Sequence, residues 1–352
     1  MQIFALMMGV FLGVGSQAFS QVPSGYERGN GGQFISCNKE SSLGAGIYSL
    51  DRAEGKFLFE MQPAAALNSF AGEFEIVSYI LNQLAQVNPT RASLYRMWLQ
   101  ELIVNQEFTK DIYFQPLPDG NKVAVPRDCE VKQAAIFITE PSREKLRFIF
   151  DKDLWDQASP LDRAYLVLHE LIYREALQEE NHHENSMATR YFNAWLFAHV
   201  ENYQFAELLS VLQSIRFHAI DFQGVPLVLT SFVGPSTVVQ APIEWYPGTK
   251  ALKKAVLGYS FALPVAGKTF KRRCDIPITM NGFVNSVEFY PSGKVKRLKF
   301  SGNFVEYGAP TGKPPSQECF YYDGYANDLL LDENGDLIEK RVSPEHVFLR
   351  FE

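Results

Sequence analysis

The hydrophobic pattern of this 352-residue chain changes period near residue 217, and that change bounds the class of fold open to it. Before it, apolar residues recur at helical spacing, as in Phe70, Phe74, Val77, Ile80, Leu81 and Leu84. After it the chain has turn signals and short alternating runs, with no long helical pattern. The expectation is an α+β protein: a helix-rich N-terminal domain with a small sheet over 21–216, then a β-rich antiparallel domain of hairpins over 217–352. The length suits two domains and a large core. With 46% hydrophobic and 21% charged residues the chain is not of the disordered class, and a net charge of −7 argues against a nucleic-acid binder.

Residues 1–20 read as a secretory signal peptide. Ile3 to Val14 is an uncharged apolar run, too short and glycine-rich for a comfortable spanning helix, and the small residues Ala18 and Ser20 precede a cleavage point before Gln21. The n-region lacks Lys and Arg, so only the amino terminus supplies positive charge there. No cysteine follows the run, which argues against a lipid anchor, and no later run suits a membrane span. The expectation is a secreted or periplasmic, soluble mature chain. Its four cysteines, Cys37, Cys129, Cys274 and Cys319, form no C-x-x-C pair. In an oxidising compartment they suggest two disulfides, with three connectivities open. Cys37–Cys129 with Cys274–Cys319 is favoured because each bridge stays within one domain.

Local signals place the elements. A helix is expected over 70–87, capped by Asn68 or Ser69, and a second over 91–106, capped by Thr90. Strands are expected at 111–114, 131–139 and 146–150. A third helix follows Ser159-Pro160, a good cap and first-turn pair, and runs to about Gln178. A polar loop carries His182 and His183, and two more helices cover 185–199 and 205–215. In the second half, Val287–Val295 and Leu329–Leu337 each read as strand, glycine turn, strand.

The third helix contains His169-Glu170-Leu171-Ile172-Tyr173-Arg174-Glu175. A His-Glu pair on an apolar helix is half of a zinc-hydrolase signature, in which two His at i and i+4 bind the metal and the Glu is general base. Here position i+4 is Tyr173, so the motif is degenerate; His169 and Glu170 are the catalytic candidates, and His169, His182 and His183 the metal candidates. At about 100° per residue, Glu175 falls roughly 40° from the centre of the apolar stripe, His169 about 80° away, and Glu170 opposite, within reach of Arg174 at i+4. A carboxylate in such a stripe needs a partner, because an unpaired buried charge is costly. Arg190 on the next helix, with Ser186 one turn earlier, is the expected partner of Glu175. These three form a candidate structural network.

Arg28-Gly29-Asn30-Gly31-Gly32, Leu117-Pro118-Asp119-Gly120, the His169–Glu175 segment and Ser186–Arg190 together resemble a group of secreted proteins of predatory and related Gram-negative bacteria. The resemblance covers roughly 26–200. That group carries Asp where this chain has Asn185. It has no established activity, so the resemblance implies a compartment and a domain unit and no chemistry.

No G-x-S-x-G elbow, Walker loop or dinucleotide fingerprint is present, and nothing singles out a nucleophilic serine. His199, His218 and His346 are isolated. Lys268, Lys271, Arg272, Arg273, Lys294, Lys296, Arg297 and Lys299 offer a basic face for an anionic envelope surface. Phe283, Phe289, Tyr290, Tyr307, Phe320, Tyr321, Tyr322 and Tyr325 offer a glycan or peptide surface, although such residues more often fill strand cores. The leading functional expectation is an envelope or surface interaction protein without turnover and without a cofactor. The alternative is a zincin-like hydrolase using His169, Glu170 and zinc.

Overall fold

The computed structural model describes residues 32–110, 114, 125–140, 145–178, 185–217, 219–222, 225–233, 237–257, 262–265, 268–272, 286–307 and 325–341. The leader, Cys274, Cys319, His182, His183, His218, His346, Arg273, Phe283 and Phe320–Tyr322 lie outside the described residues, as does the Leu117–Gly120 turn.

The architecture is α+β. The N-terminal part begins with strands β1 (Gln33–Cys37) and β2 (Gly46–Ser49) and helix α1 (Leu50–Phe59). Helices α2 (Glu73–Leu84) and α3 (Pro89–Asn105) follow, then strands β3 (Gln106–Thr109), β4 (Cys129–Gln133), β5 (Ala135–Glu140) and β6 (Lys145–Asp151). Helices α4 (Lys152–Gln157), α5 (Pro160–Gln178), α6 (Met187–His199) and α7 (Phe205–Ser214) complete it. The strands form two small sheets. One has the order β2-β1-β4, all antiparallel; the other has β3-β6-β5, with β3 parallel to β6.

Local chemistry explains where these elements start. The α5 cap is as expected: Ser159 Oγ accepts the Asp162 amide at 3.1 Å and donates to its carboxylate at 2.5 Å, and Pro160 fills the first helical position. The α3 cap is Asn88, whose side chain accepts the Arg91 amide, and not Thr90. Pro89 can serve as the first helical residue, which moves the cap one position before it. Helix α2 starts at Glu73, because Ala65–Ser69 forms a separate 3-10 turn and the Ser69 hydroxyl bonds back to Ala66 O at 2.7 Å. The strand expected over 131–139 is two strands in different sheets, interrupted at Ala134. The parallel strand β3 lies at 106–109, before the expected 111–114, whose first three residues are outside the described set. The pattern gave no warning of α1, β2 or α4.

Beyond α7 the strands belong to antiparallel sheets, the larger having ten strands among the described residues. The two matching hairpins appear as read. Ser286–Phe289 pairs with Val295–Tyr307, and Tyr325–Leu331 with Leu337–Arg341. Their turns are alike: Tyr290 N donates to Lys294 O and Asp332 N to Asp336 O, with Gly293 and Gly335 at φ of 85° and 90°. Only glycine adopts that left-handed conformation cheaply.

One apolar cluster runs through both parts, from Phe34, Leu102 and Leu168 to Phe217, Leu227, Phe289 and Leu329. Phe217 packs on Phe192 and Phe222 on Phe289, so apolar contact continues past residue 216. Phe289 is therefore core and not a ligand surface, and Tyr290 is half-buried with its hydroxyl on Leu331 O. Arg297, expected on a basic face, forms a two-point ion pair with Asp328.

Candidate functional site

The His-Glu helix is the centre of the N-terminal part. From Ala164 to Ile172 every residue of α5 is buried. It meets α1 and α6, and the interface between the three is charged.

Helix α1 is built for this. Asp51 and Glu54 sit one turn apart on its inner face, beside Ala53 and Gly55, and are 1% and 2% exposed. A Cβ added at Gly55 would stand 2.8 Å from Ala194 Cβ, so glycine lets α1 approach α6 closely. The charges on α1 therefore reach their partners directly.

Asp51 Oδ2 receives two donors, His169 Nδ1 at 2.9 Å and Asn193 Nδ2 at 2.6 Å; Asn193 Nδ2 also donates to Tyr165 O. Glu54 Oε2 receives Arg190 Nε at 2.6 Å, and a second Arg190 nitrogen donates to Ser186 Oγ at 2.6 Å. Glu170 Oε1 receives the Gly32 amide at 2.5 Å. A Cβ at Gly32 would lie 2.2 Å from Leu166 Cδ1 and 3.2 Å from that same oxygen, so a side chain there would displace the contact. His169, Glu170, Ser186 and Arg190 are each 2% exposed. His169 Nε2 is buried and makes no hydrogen bond among the described residues.

Two sequence expectations are corrected here. Arg190 pairs with Glu54, not Glu175, because α1 lies against α6 at this level. Glu175 is held instead by Arg91, with contacts of 2.8 and 3.1 Å, and by the Tyr95 hydroxyl, both on α3. Arg174, expected within reach of Glu170, pairs with Glu101 at 2.6 Å, and Glu170 is buried. Gly32, which precedes β1, packs against Leu166 and Glu170. Ser186, one turn before Arg190 on the same face, accepts a hydrogen bond from it. Asp51, Glu54, Arg91, Tyr95 and Asn193 were not foreseen; the signal in the sequence was the Asp51/Glu54 spacing beside Ala53 and Gly55.

Burial by itself pulls the His169 pKa down, but the charge and hydrogen bond of Asp51, aided by Glu170, outweigh it and leave it raised. Burial also raises the Glu170 pKa, opposed by His169 and the Gly32 amide. Both groups hold their protons more tightly folded than unfolded. Their stabilisation is complete at low pH and is lost as pH rises, starting near the ordinary 4.5 for Glu170 and 6.5 for His169 and ending above each folded pKa. The urea midpoint is thus expected to fall between pH 6.5 and alkaline pH, less steeply in His169→Asn. Equal slopes in the two proteins would contradict this.

Among the described residues, no three His, Cys, Asp or Glu side chains gather into a metal-binding group. The Glu170 carboxylate accepts the Gly32 amide at 2.5 Å, whereas the general base of a zincin faces the metal-bound water, so the described geometry of Glu170 does not fit that role. No family model matches this chain, and neither a curated protein nor a solved structure matches it.

Proposed function

We propose that this is a secreted or periplasmic, disulfide-bonded protein that acts at the cell envelope by binding, without turnover, and that its His-Glu helix is the internal post on which α1, α6 and the start of β1 are mounted. The observation that carries this reading is the commitment of both side chains to internal partners: His169 to Asp51 and Glu170 to the Gly32 amide, each 2% exposed. A general base has to reach a substrate or its water. The Cys37–Cys129 bridge supports an oxidising compartment, where such bonds persist.

One observation favours the hydrolase reading: His169 Nε2 is buried without a hydrogen-bond partner among the described residues, and an imidazole oriented by a carboxylate through Nδ1 is the usual form of a metal-binding histidine. The test is metal content and hydrolysis of peptide and amide substrates by protein purified from an oxidising compartment without chelator, beside His169→Gln. Sub-stoichiometric metal and no turnover in either protein are expected. Stoichiometric zinc that is lost in a folded His169→Gln would replace the binding reading with the hydrolase.

A further inference from the structure

A pocket of about 470 Å3 opens between β2, the start of α1, the 3-10 turn, α2 and the first turn of α5. That volume is in the range of small-molecule sites. Its polar groups are arranged in an unusual balance. Arg52 donates through one terminal nitrogen to Asp162 at 2.8 Å and lies 5.8 Å from the centre of the Tyr48 ring. Its remaining N–H groups make no hydrogen bond among the described residues. Asp162 also accepts the Ser49 amide at 3.0 Å and the Ser159 hydroxyl at 2.5 Å, so both of its oxygens are engaged. The exposed amides of Asn68 and Gln157 line the same pocket. The Asn68 side chain makes no hydrogen bond among the described residues, and Gln157 uses only its nitrogen, on Asp153 O. Tyr48 and Phe70 supply half-buried rings, and the floor includes the buried Leu67.

These features narrow the ligand class. An anion would meet the Arg52 charge already compensated by Asp162 at contact distance. A purely apolar ligand would strip water from the guanidinium and both amides without replacing it. A neutral molecule rich in hydroxyls, with an apolar C–H face, satisfies both sets of groups. Its hydroxyls can pair with the planar edges of Arg52, Asn68 and Gln157 while its ring lies on Tyr48, Phe70 or the aliphatic floor.

We infer that this pocket is a binding site for a neutral saccharide. The inference gives a ligand class to the binding reading above and rests on it.

The test is a titration of the full mature chain, by calorimetry and by amide shifts in NMR, with triacetylchitotriose and with maltotriose. Acetate and inorganic phosphate are titrated as anionic controls, and sugar products are assayed in the same samples. Saturable binding of a trisaccharide is expected, with shifts at Tyr48 and Arg52. It should weaken by about tenfold or more in Asn68→Ala/Gln157→Ala, whose positions are exposed and whose melting should not change. Neither sugar binding at millimolar concentration would overturn the assignment, as would affinity unchanged in the double variant, or acetate or phosphate displacing the sugar. Binding accompanied by cleavage of the sugar would overturn the reading without turnover and leave the pocket assignment standing.

Discussion

Arg190→Met is expected to destabilise the protein by about 3–5 kcal/mol, the cost of leaving a buried partner charge uncompensated. Arg190 and Glu54 are 2% exposed, and their 2.6 Å contact joins α6 to α1. Removing the guanidinium takes away the ion-pair partner of the buried Glu54 carboxylate and the Arg190 donor to the Ser186 hydroxyl. Much of that loss should be recovered in Glu54→Leu/Arg190→Met, because replacing a whole buried pair by apolar side chains is often close to neutral. Urea denaturation of wild type, both single variants and the double variant measures the cycle. If Arg190→Met unfolds at the wild-type midpoint, the pair does not hold the two helices together. If the double variant is no better than the single, the loss comes from packing and not from charge.

The second large effect is expected at the disulfide. Cys37 and Cys129 face each other in the antiparallel register of β1 and β4, and the bond joins residues 92 positions apart. Closing a loop of that length restricts the unfolded chain by about 4–5 kcal/mol in the chain-entropy account, and native bridges commonly deliver about 2–5. Cys37→Ser/Cys129→Ser should therefore lower stability by about 2–5 kcal/mol. The double variant isolates this bridge, whereas a reductant would also act on any bond at Cys274 and Cys319. An unchanged denaturation midpoint would show that β1, β2 and β4 stay paired without the cross-link. The bridge matters to the charged centre as well, since β1 follows directly on Gly32, whose amide holds Glu170.

Several features were legible because they are local. Ser159-Pro160 marks a helix start through its own side-chain and backbone chemistry, and α5 runs from Pro160 to Gln178. The two hairpins follow from alternation around a glycine that must take positive φ. After the change of period near 217 the regular elements among the described residues are all strands, for the same reason: periodicity records which face of an element is buried. The Cys37–Cys129 bridge was among the connectivities the cysteine count allowed, and it is formed.

The partners of the charged residues were decided only by the tertiary structure. Helical geometry identifies that Glu175 lies toward the apolar stripe and that Arg190 follows Ser186 by one turn, but it contains no information on which helix lies alongside. Arg91 and Tyr95 on α3 take Glu175, and Glu54 on α1 takes Arg190. Helix α1 itself was invisible to pattern reading, because its inner face carries Asp51, Glu54 and Gly55 where a stripe of large apolar residues is the usual signal. Those residues can be buried only when His169, Asn193 and Arg190 arrive from elsewhere to compensate them. A residue's charge and its place on a helix are local properties written in the sequence, whereas the compensation of a buried charge is a property of two elements in contact, and only the folded chain brings them together.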